Sequence, residues 1–475
     1  MRCARGVFSQ CPAIIAMVIT LAAVPLAPGV KTGESSPQRL AAAQTAQRDK
    51  KHPPNILLII ADDLAYHDLG CYGNDRIVTP NLDRLAAQGA RFQSAFTPTA
   101  LCRPSRWALH SGMYPHASGI TGFGRIRRDL PILHRTLRKN GYRTGLIGKS
   151  ARLDRMRGFD FHVDAAAGRD VAKMAAASRE FMDEAGDGPW FLLVGFGDPH
   201  WPYPRKTILG PKQVRVPPYL PDTLEVRRAL AGYYTAAARL DRGVGLVLEA
   251  LKQSGRTDDT IVMFVSDHGP GFAFAKSTLY DAGTRVPMIV RWPGVTKPAT
   301  TIDEFVSFVD VYPTFLQIAG IEIPATVQGE SFLPLLRGQR QPQRVAVFFS
   351  HTDNARSKYP MRGVRTAKYK YIRNFTPDAP IVAILMGRAS WTSLVKTAAS
   401  DAKIAARVNA YLHRPAEELY LIQDDPYELK NIIGEPSVVE DLTRLRKMVR
   451  EWMTATGDPL LEEVRGVTTA PAKEP

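Results

Sequence analysis

Acidic and imidazole side chains stand at the ends of three separate apolar runs of the chain. In chain order they are Asp62 and Asp63, then Asp198 and His200, then Asp267 and His268. Three carboxylates in one place repel one another unless a cation lies between them, and their oxygens suit Ca²⁺ or Mg²⁺. The pattern predicts a metal site of Asp62, Asp63 and Asp267, with His268 as a ligand or a hydrogen-bonding neighbour.

A cysteine stands at the predicted start of a helix. Pro104 suits a first helical turn, so Cys102 lies where backbone N–H groups and the helix dipole favour anions. Arg106 follows one turn later and can reach the same anion. These residues predict an anion-binding site at Cys102. The alternative is a buried structural cysteine in a capped helix start.

Alternating strand and helix patterns predict the framework that positions these groups. Apolar runs predict buried strands at 55–60, 142–147, 190–196, 260–266 and 286–291, and 3.6-residue periodicity or capping residues predict helices at 79–89, 133–141, 224–254 and 310–320. This alternation predicts an α/β fold with a mainly parallel central sheet flanked by helices. Ligands in such folds bind at the carboxyl ends of the strands, where the polar groups stand.

The two ends of the chain differ from this middle part. Arg2 and Arg5 precede an apolar run and small residues, which is the layout of a secretory signal peptide at 1–27. The run contains prolines and is too short to span a bilayer. We therefore expect a secreted or periplasmic protein without stable membrane insertion after cleavage. A flexible lead is predicted at 28–53, a catalytic domain at 54–340 and a smaller C-terminal antiparallel-sheet subdomain at 341–475.

The charge balance narrows the class of partner. The chain has 62 Lys and Arg against 46 Asp and Glu, a formal net charge of +16. Such a charge suits an anionic partner, and export makes intracellular nucleic acid a poor candidate. An anionic membrane and an acidic polymer such as a sulfated glycan both remain as partners, and charge alone does not choose between them.

The segment Cys102-Arg-Pro-Ser-Arg106 resembles the signature of the sulfatase family. The resemblance also includes Pro54–Asp63, Gly148-Lys149, Asp198–His200 and Ser266–Gly269, and covers most of the chain after residue 53. Segments 241–249, 359–364 and 418–426 are similar to the branch that acts on N-sulfated glucosamine of heparan-type glycans. The resemblance implies an alkaline-phosphatase-like fold.

The resemblance also implies roles for individual residues. Cys102 would be converted to Cα-formylglycine by a formylglycine-generating maturation enzyme. The residues implied to hold Ca²⁺ are Asp62, Asp63, residue 102, Asp267 and His268. Those implied to neutralise the sulfate are Arg106, Lys149 and Lys276, and His200 would protonate the leaving group.

One position departs from the family pattern. The family usually has Gly-Lys-x-His, and here Ala151 stands where the histidine would be. His116 and His351 are candidates to replace it. His351 and Arg362 are alternatively expected to contact the sugar, because both belong to a subdomain expected to overhang the site.

The leading hypothesis is thus a secreted, formylglycine-dependent sulfatase acting on a sulfated glycan. A phosphoesterase or phosphonate hydrolase of the same superfamily is the alternative enzyme. A catalytically impaired protein that binds sulfated glycans is the alternative from another class, motivated by Ala151. A homodimer is one expected assembly.

Overall fold

The computed structural model describes residues 53–122, 129–150, 158–164, 168–341, 344–354, 357–377 and 379–465. The predicted signal peptide and nearly all of the predicted lead lie outside these ranges. Among the described residues, no helix combines the length and the apolar character needed to cross a bilayer.

The strands, in chain order, are β1 Asn55–Ala61, β2 Ala90–Phe92, β3 Ala95–Phe96, β4 Arg143–Gly148, β5 Phe161–Val163, β6 Trp190–Gly195, β7 Thr260–Ser266, β8 Met288–Arg291, β9 Thr300–Ile302, β10 Val306–Ser307, β11 Ala346–Asp353, β12 Lys358–Thr366, β13 Tyr369–Asn374 and β14 Glu417–Leu421. The α-helices are α1 Pro80–Ala87, α2 Cys102–Ser111, α3 Pro115–Ser118, α4 Leu133–Lys139, α5 Val171–Asp183, α6 Leu224–Gln253, α7 Asp281–Thr284, α8 Val311–Ile318, α9 Leu333–Leu336, α10 Ala389–Ala398, α11 Ala402–Leu412, α12 Val439–Ala455 and α13 Leu461–Arg465.

Eight strands form the central sheet, in the order β5-β4-β6-β1-β7-β8-β2-β9. Five of the seven neighbouring pairs are parallel, and only the two pairs that involve β8 are antiparallel. The predicted α/β fold with a mainly parallel sheet is therefore confirmed. The short strands β2, β5 and β9 were not predicted, because three residues are too few to show a periodic pattern.

The central strands are apolar on both faces because helices cover both faces. In β1, Ile56, Leu58 and Ile60 pack in one buried cluster with α2, α4 and α8. Leu57 and Ile59 point to the opposite face and pack in a second cluster with α1, α5 and α6. Each such side chain contributes about 1.5–3 kcal/mol on burial. The strand ends are thus held by a rigid three-layer core.

Helix α1 begins as predicted, but its capping group differs from the prediction. Thr79 occupies the N-cap position, yet its hydroxyl donates to the Asp83 carboxylate (3.2 Å) and accepts no hydrogen bond from the helix. Instead Asp241, from α6, accepts from the backbone N–H groups of Asn81 (3.1 Å) and Leu82 (2.8 Å). The carboxylate supplies the acceptor that the helix terminus needs and joins α1 to α6.

Strands β11 to β14 form a second, antiparallel sheet in sequence order. Helix α12 packs on it through Leu445, Val449 and Trp452, in a separate buried cluster. This confirms the predicted small antiparallel sheet within residues 341–475. The boundary at residue 340 stays a prediction.

A helical insertion, residues 384–412, separates β13 from β14. It consists of a 3₁₀ turn, Ile384–Gly387, followed by α10 and α11. The N–H of Ile381 donates to the carbonyl of Leu412 (2.9 Å), so the chain leaves and returns at neighbouring points. The Tyr411 ring lies 5.0 Å from that of Phe274. These contacts fix the insertion to the loop that follows β7.

Four buried side chains join the second sheet to α7, and we call them the Asp281 cluster: Asp281, Arg365, Lys370 and Glu428. Asp281 pairs with Lys370 Nζ (2.9 Å) and Arg365 Nε (3.1 Å), and its N–H donates to Glu428 (2.6 Å). Burial favours the neutral acid, but the two cations hold the pKa of Asp281 below its ordinary value. Burial, together with Asp281, raises the pKa of Glu428. The cluster therefore contains one carboxylate shared by two cations.

Candidate active site

The carboxyl ends of β1 and β7 bring the predicted carboxylates together. The two strands pair in parallel up to Ala61 and Ser266, so Asp62, Asp63 and Asp267 leave the sheet side by side. One oxygen of each carboxylate lies within 4.8 Å of the other two, and all three residues are fully buried. The N–H of Asp63 donates to Asp267 Oδ1 (3.0 Å), which joins the two loops.

Asp63 has a left-handed backbone conformation. Its φ of +66° lies in a region that residues other than glycine seldom occupy, although aspartate tolerates it. On either side, Asp62 N–H donates to the Asp198 carbonyl (3.0 Å) and Leu64 N–H to Ser266 Oγ (2.9 Å). The surrounding structure thus holds one of the three carboxylates in a strained backbone, which is common at functional sites.

Cys102 is the first residue of α2, as the sequence predicted, and Arg106 lies one turn further along. Arg106 Nε donates to Asp267 Oδ2 (2.9 Å), and its NH2 group lies 3.8 Å from Asp62 Oδ1. Arg106 therefore links carboxylates from two strands to the helix that carries the cysteine.

Two lysines from separate loops add positive charge. Lys149, directly after β4, forms an ion pair with Asp62. Lys276 Nζ lies 2.6 and 2.9 Å from the two oxygens of Asp63 and 3.3 Å from Cys102 Sγ. Burial opposes the charge on Lys276, but Asp63 and its neighbours raise the pKa of the ammonium group above its ordinary value. Lys276 is therefore a fixed positive charge beside the thiol.

His268 directs one ring nitrogen at the thiol. Its Nδ1 lies 2.7 Å from the Gly269 carbonyl, a pairing in which Nδ1 carries the proton and donates it. Nε2 then presents a lone pair 3.3 Å from Cys102 Sγ and 3.2 Å from Asp63 Oδ1. Burial lowers the pKa of His268. This neutral tautomer suits a metal ligand.

His200 lies on the other side of Asp63, with Nε2 3.8 Å from Asp63 Oδ2. Its Nδ1 contacts the carbonyl of Trp201. Burial lowers the pKa of His200 to about 3, and nearby cations act in the same direction, while Asp63 opposes them. The imidazole is therefore neutral in this arrangement, and 29% of its side chain stays exposed. A negative charge placed beside Nε2 would favour the protonated form.

The predicted residues thus converge, and we call the group the Cys102 cluster: Asp62, Asp63, Cys102, Arg106, Lys149, His200, Asp267, His268 and Lys276. Burial, reinforced by Asp267 and Asp63, raises the pKa of the Cys102 thiol to about 12. At neutral pH the unmodified thiol is protonated, and a protonated thiol is a weak nucleophile.

The donor atoms of the cluster fit a divalent cation. Asp62 Oδ1 is buried and has no hydrogen-bond partner among the described residues, although an unpaired buried carboxylate oxygen is costly. Three sets within the cluster could each hold an ion, and one consists of Asp62, Asp63 and Asp267 alone. Carboxylate oxygens beside a neutral imidazole nitrogen form a recognised ligand set for divalent metals.

Asp198 belongs to a different arrangement from the other aspartates. Its two oxygens accept from Arg239 Nε (2.6 Å) and NH2 (2.8 Å), and Arg169 Nε lies 3.7 Å away. Arg169 NH2 also donates to the carbonyl of His200 (2.6 Å). The carboxylate therefore positions the backbone that carries His200 and takes no part in the three-aspartate set.

The structure gives no support to a catalytic role for His116. Its ring nitrogens lie 3.0 Å from Ser350 Oγ and 2.8 Å from Thr456 Oγ1, and its ring packs edge-on against Trp452. None of these partners belongs to the Cys102 cluster. Ala151, where the family histidine is missing, lies outside the described residues.

His351 and Arg362 both lie in the second sheet. Arg362 is 1% exposed and donates to the carboxylate of Asp458 and to the carbonyls of His351 (2.9 Å) and Met361 (2.9 Å). His351 is 1% exposed and packs against Tyr359. The Arg362 side chain is taken up by Asp458, so its expected contact with the sugar is corrected. His351 Nδ1 lies 3.5 Å from Thr99 Oγ1, and its contact with the substrate stays a prediction.

Two residues at the open side of the cluster were missed by the sequence analysis. Trp201 follows His200 directly and is 48% exposed. Arg388, from the helical insertion, has its guanidinium 5.6 Å from the Trp201 ring. Adjacency to a motif could have identified Trp201, but no local signal marks Arg388, which reaches the cluster from a distant part of the chain.

Comparison with known families and proteins agrees with this arrangement. The chain matches the family model described as Sulfatase over residues 54–321, and the model described as N-sulphoglucosamine sulphohydrolase, C-terminal, over residues 268–383. It is 31% identical to the N-sulphoglucosamine sulphohydrolase of Homo sapiens, covering 86% of this chain and 92% of that protein. It is 30% identical to an ulvan-active sulfatase of Formosa agariphila, covering 87% and 82%.

Solved structures share the fold. A protein in complex with its substrate D-glucosamine-2-N,6-O-disulfate superposes with a TM-score of 0.69 at 20% identity, covering 86% of this chain and 99% of that one. A 2-O GAG sulfatase superposes with a TM-score of 0.70 at 22% identity, covering 89% and 95%. The family match over more than half of the sequence shows that this chain belongs to the sulfatase family, the hydrolases of sulfate esters and sulfamates.

Proposed function

We propose that this protein is a formylglycine-dependent sulfatase that acts on a sulfated glycan, with N-sulfated glucosamine of heparan-type chains as the favoured substrate. The observation that supports this proposal most directly is the position of Cys102. Its Sγ lies 3.3 Å from both Lys276 Nζ and His268 Nε2, beside three carboxylates. The N-sulfated substrate is supported by the similarity to the human N-sulphoglucosamine sulphohydrolase over nearly the full length of both proteins.

Modification of Cys102 fits the electrostatics of the cluster. With its pKa raised to about 12, the thiol is a poor attacking group at neutral pH. Conversion to formylglycine by a formylglycine-generating enzyme would supply an aldehyde, whose hydrate carries hydroxyl groups. A divalent cation, which we propose to be Ca²⁺, would be held by Asp62, Asp63, Asp267 and His268 and would lower the pKa of such a hydroxyl.

The cationic side chains of the cluster then bind the sulfate. Arg106, Lys149 and Lys276 offer N–H donors from three elements to its oxygens, whose charge grows as the bond to sulfur breaks. Lys149 and Lys276 each pair with an aspartate here, so a cation on these aspartates would leave both ammonium groups available to the substrate.

We propose His200 as the group that protonates the leaving atom. It lies at the exposed side of the cluster, where the sugar must lie, and its Nδ1 contact with the Trp201 carbonyl orients Nε2 toward the reaction. The anionic sulfate would favour a proton on Nε2. That proton passes to the sugar oxygen or nitrogen as its bond to sulfur breaks.

The proposed location and partners of the enzyme rest on the sequence. The predicted signal peptide favours a secreted or periplasmic enzyme, and the charge of +16 suits an acidic polymer. The proposed partners are the glycan and the maturation enzyme. A homodimer is also proposed, and sedimentation of the mature protein would test it.

Mass spectrometry of one tryptic peptide tests the modification. Phe92–Arg106 is the peptide to examine, from protein made in its native host, because Pro104 blocks cleavage after Arg103 and keeps residue 102 inside. We expect formylglycine in place of cysteine. An unmodified thiol, in a host that matures other sulfatases, together with salt-sensitive heparin binding, would favour the non-catalytic glycan binder.

Sulfate release tests the reaction. We expect the mature protein to release sulfate from glucosamine N-sulfate faster than from singly O-sulfated glucosamine. Aryl sulfate and aryl phosphate, measured side by side, separate the alternative enzyme class. Faster release of phosphate would contradict the sulfatase proposal and favour a phosphoesterase.

A further inference from the structure

We infer that Arg388 and Trp201 form a subsite that binds a second anionic substituent of the substrate sugar, beyond the sulfate that is released. The inference rests on the proposed function, and it makes a doubly anionic sugar the preferred substrate. Trp201 would supply a flat surface for the sugar ring, and Arg388 the charge that distinguishes doubly from singly anionic sugars.

The first step is the position of Trp201. It follows His200 directly, and its carbonyl contacts His200 Nδ1. A large aromatic side chain that is 48% exposed at the mouth of a buried cluster leaves apolar surface uncovered. Aromatic faces of this kind commonly cover the apolar face of a bound ring. Its position beside the proposed proton donor places it next to the sugar.

The second step is the approach of Arg388 to the same place. Its NH1 donates to the carbonyl of Gly271. A Cβ built at Gly271 would lie 2.5 Å from Arg388 NH1 and 2.8 Å from Asp63 Oδ2. The absence of a side chain at Gly271 is therefore what lets the guanidinium lie at the edge of the Cys102 cluster.

The third step is the charge on Arg388. Among the described residues, Arg106, Arg239, Arg362 and Arg365 each pair with an aspartate. Arg388 is half-buried, yet no carboxylate of the described part of the chain lies within ion-pair distance of it. A half-buried guanidinium that forms no ion pair suits an anion such as sulfate or carboxylate, which guanidinium binds with two parallel hydrogen bonds.

The fourth step is the support beneath Arg388. Arg388 directly precedes α10, whose Ser393 hydroxyl lies 3.1 Å from that of Thr223 at the start of α6. The guanidinium of Arg407, in α11 of the same insertion, lies 4.0 Å from the centre of the Phe274 ring. Phe274 precedes Lys276 by two residues. The insertion is thus fixed to the loop that carries a sulfate-binding lysine. Arg388 also lies beyond residue 383, where the family match ends.

Binding measurements test the subsite without depending on turnover. In a Cys102→Ala background, we expect Arg388→Ala to weaken binding of glucosamine-2-N,6-O-disulfate at least about tenfold and to change binding of glucosamine N-sulfate little. Trp201→Ala should weaken both ligands by similar factors, because stacking on a ring does not depend on the second charge. Lys396→Ala, an exposed cation in α10, is the matched control and should bind both ligands normally.

Kinetics on the mature enzyme give the second readout. We expect Arg388→Ala to raise KM for the disulfated sugar and to leave kcat/KM for the monosulfated sugar unchanged. Arg388→Lys should partly restore KM for the disulfated sugar. Arg388→Gln replaces the alanine variant if the latter unfolds below the assay temperature. Equal losses on both sugars, or no loss on either, would overturn the inference. If the wild-type protein releases no sulfate from either sugar, the proposed function fails, and the binding comparison still decides the subsite.

Discussion

The Cys102 cluster and the Asp281 cluster resemble each other in charge and burial and differ in access. Each pairs buried carboxylates with lysine and arginine. In each, a neighbouring lysine overcomes burial and lowers the pKa of an aspartate, Asp63 in one and Asp281 in the other. Lys149 and His200 keep 25% and 29% of their side chains exposed. The side chains of Asp281 and its two cations are at most 8% exposed.

This difference shows what identifies an active site here. A shifted pKa and a buried ion pair occur in both clusters, so neither feature distinguishes catalysis from structural support. Of the two, only the Cys102 cluster combines an opening to solvent with a cysteine at a helix start and two imidazoles beside one carboxylate. The first three predictions below change one cluster at a time and measure activity, stability or both, and the fourth changes a buried histidine outside both clusters.

The largest expected effect is on turnover. Cys102→Ala should lower sulfate release by at least about a thousandfold, because no other group can supply the covalent nucleophile. The unfolding midpoint should change little, since the substitution removes only the one or two heavy atoms beyond Cβ. Cys71→Ala, which removes the other thiol of the described chain, should retain activity. Loss of activity in the Cys71 variant alone would contradict the assignment.

A substitution in the Asp281 cluster should affect stability and leave turnover unchanged. Asp281→Ala leaves Arg365 and Lys370 buried without their carboxylate, and breaking such a buried pair costs about 3–5 kcal/mol. Urea denaturation should show this loss, while activity per folded molecule stays near the wild-type value. Glu435→Ala removes an exposed ion pair with Lys430 and should leave the midpoint unchanged. A fully folded Asp281 variant without activity would place this cluster in the catalytic machinery.

Cation binding should distinguish the aspartates. Ca²⁺ at a hundred times its Kd should stabilise the wild type by about 2.7 kcal/mol, and EDTA should remove that gain. Asp62→Asn should respond little to Ca²⁺, because Asp62 belongs to the three-carboxylate set. Asp198→Asn should keep the response, since Asp198 pairs with Arg239. Equal responses in the two variants, measured by thermal unfolding, would refute the proposed metal ligands.

Measured per pH unit, the smallest expected effect is a change in acid stability. Burial lowers the pKa of His116 from 6.5 to about 4, so the unfolded chain binds this proton first as pH falls. Stability should therefore decline between pH 6.5 and 4, by about 1.4 kcal/mol per pH unit for one proton. His116→Gln should flatten this decline and leave the pH dependence of turnover near pH 7 unchanged. A shifted activity profile would restore His116 as a candidate catalytic group.

Much of the central sheet and of the Cys102 cluster could be predicted from the sequence. The strands containing Leu57, Leu192 and Val262 are apolar on both faces, which is the pattern of a buried parallel sheet, and parallel strands end at one edge. That rule predicted the convergence of Asp62, Asp63 and Asp267 without any tertiary information. The helix start at Cys102 followed from Pro104 and the spacing to Arg106.

The misplaced and missed residues depended on long-range packing. Arg362 was expected near the sugar because of its motif, but β12 lies inside the second sheet and directs this side chain to Asp458, 96 residues away. Asp241 replaces Thr79 as the cap of α1 from 160 residues further along the chain. Arg388 reaches the cluster through an insertion whose packing no local pattern encodes. Pairings at such separations follow from the assembled fold.

The helical insertion, residues 384–412, leaves and rejoins the rest of the chain at neighbouring points, and this affects how substrate preference can change. Because Ile381 and Leu412 are joined by a backbone hydrogen bond, a segment of different length or composition could replace residues 384–412 without altering the strands on either side. Exchange of this segment for one that keeps the packing of Tyr411 on Phe274 would remove or relocate Arg388, while the residues of the Cys102 cluster, which lie on other elements, are retained. The proposed subsite and the Cys102 cluster are thus encoded in different parts of the chain, which makes this segment a target for directed evolution of substrate preference.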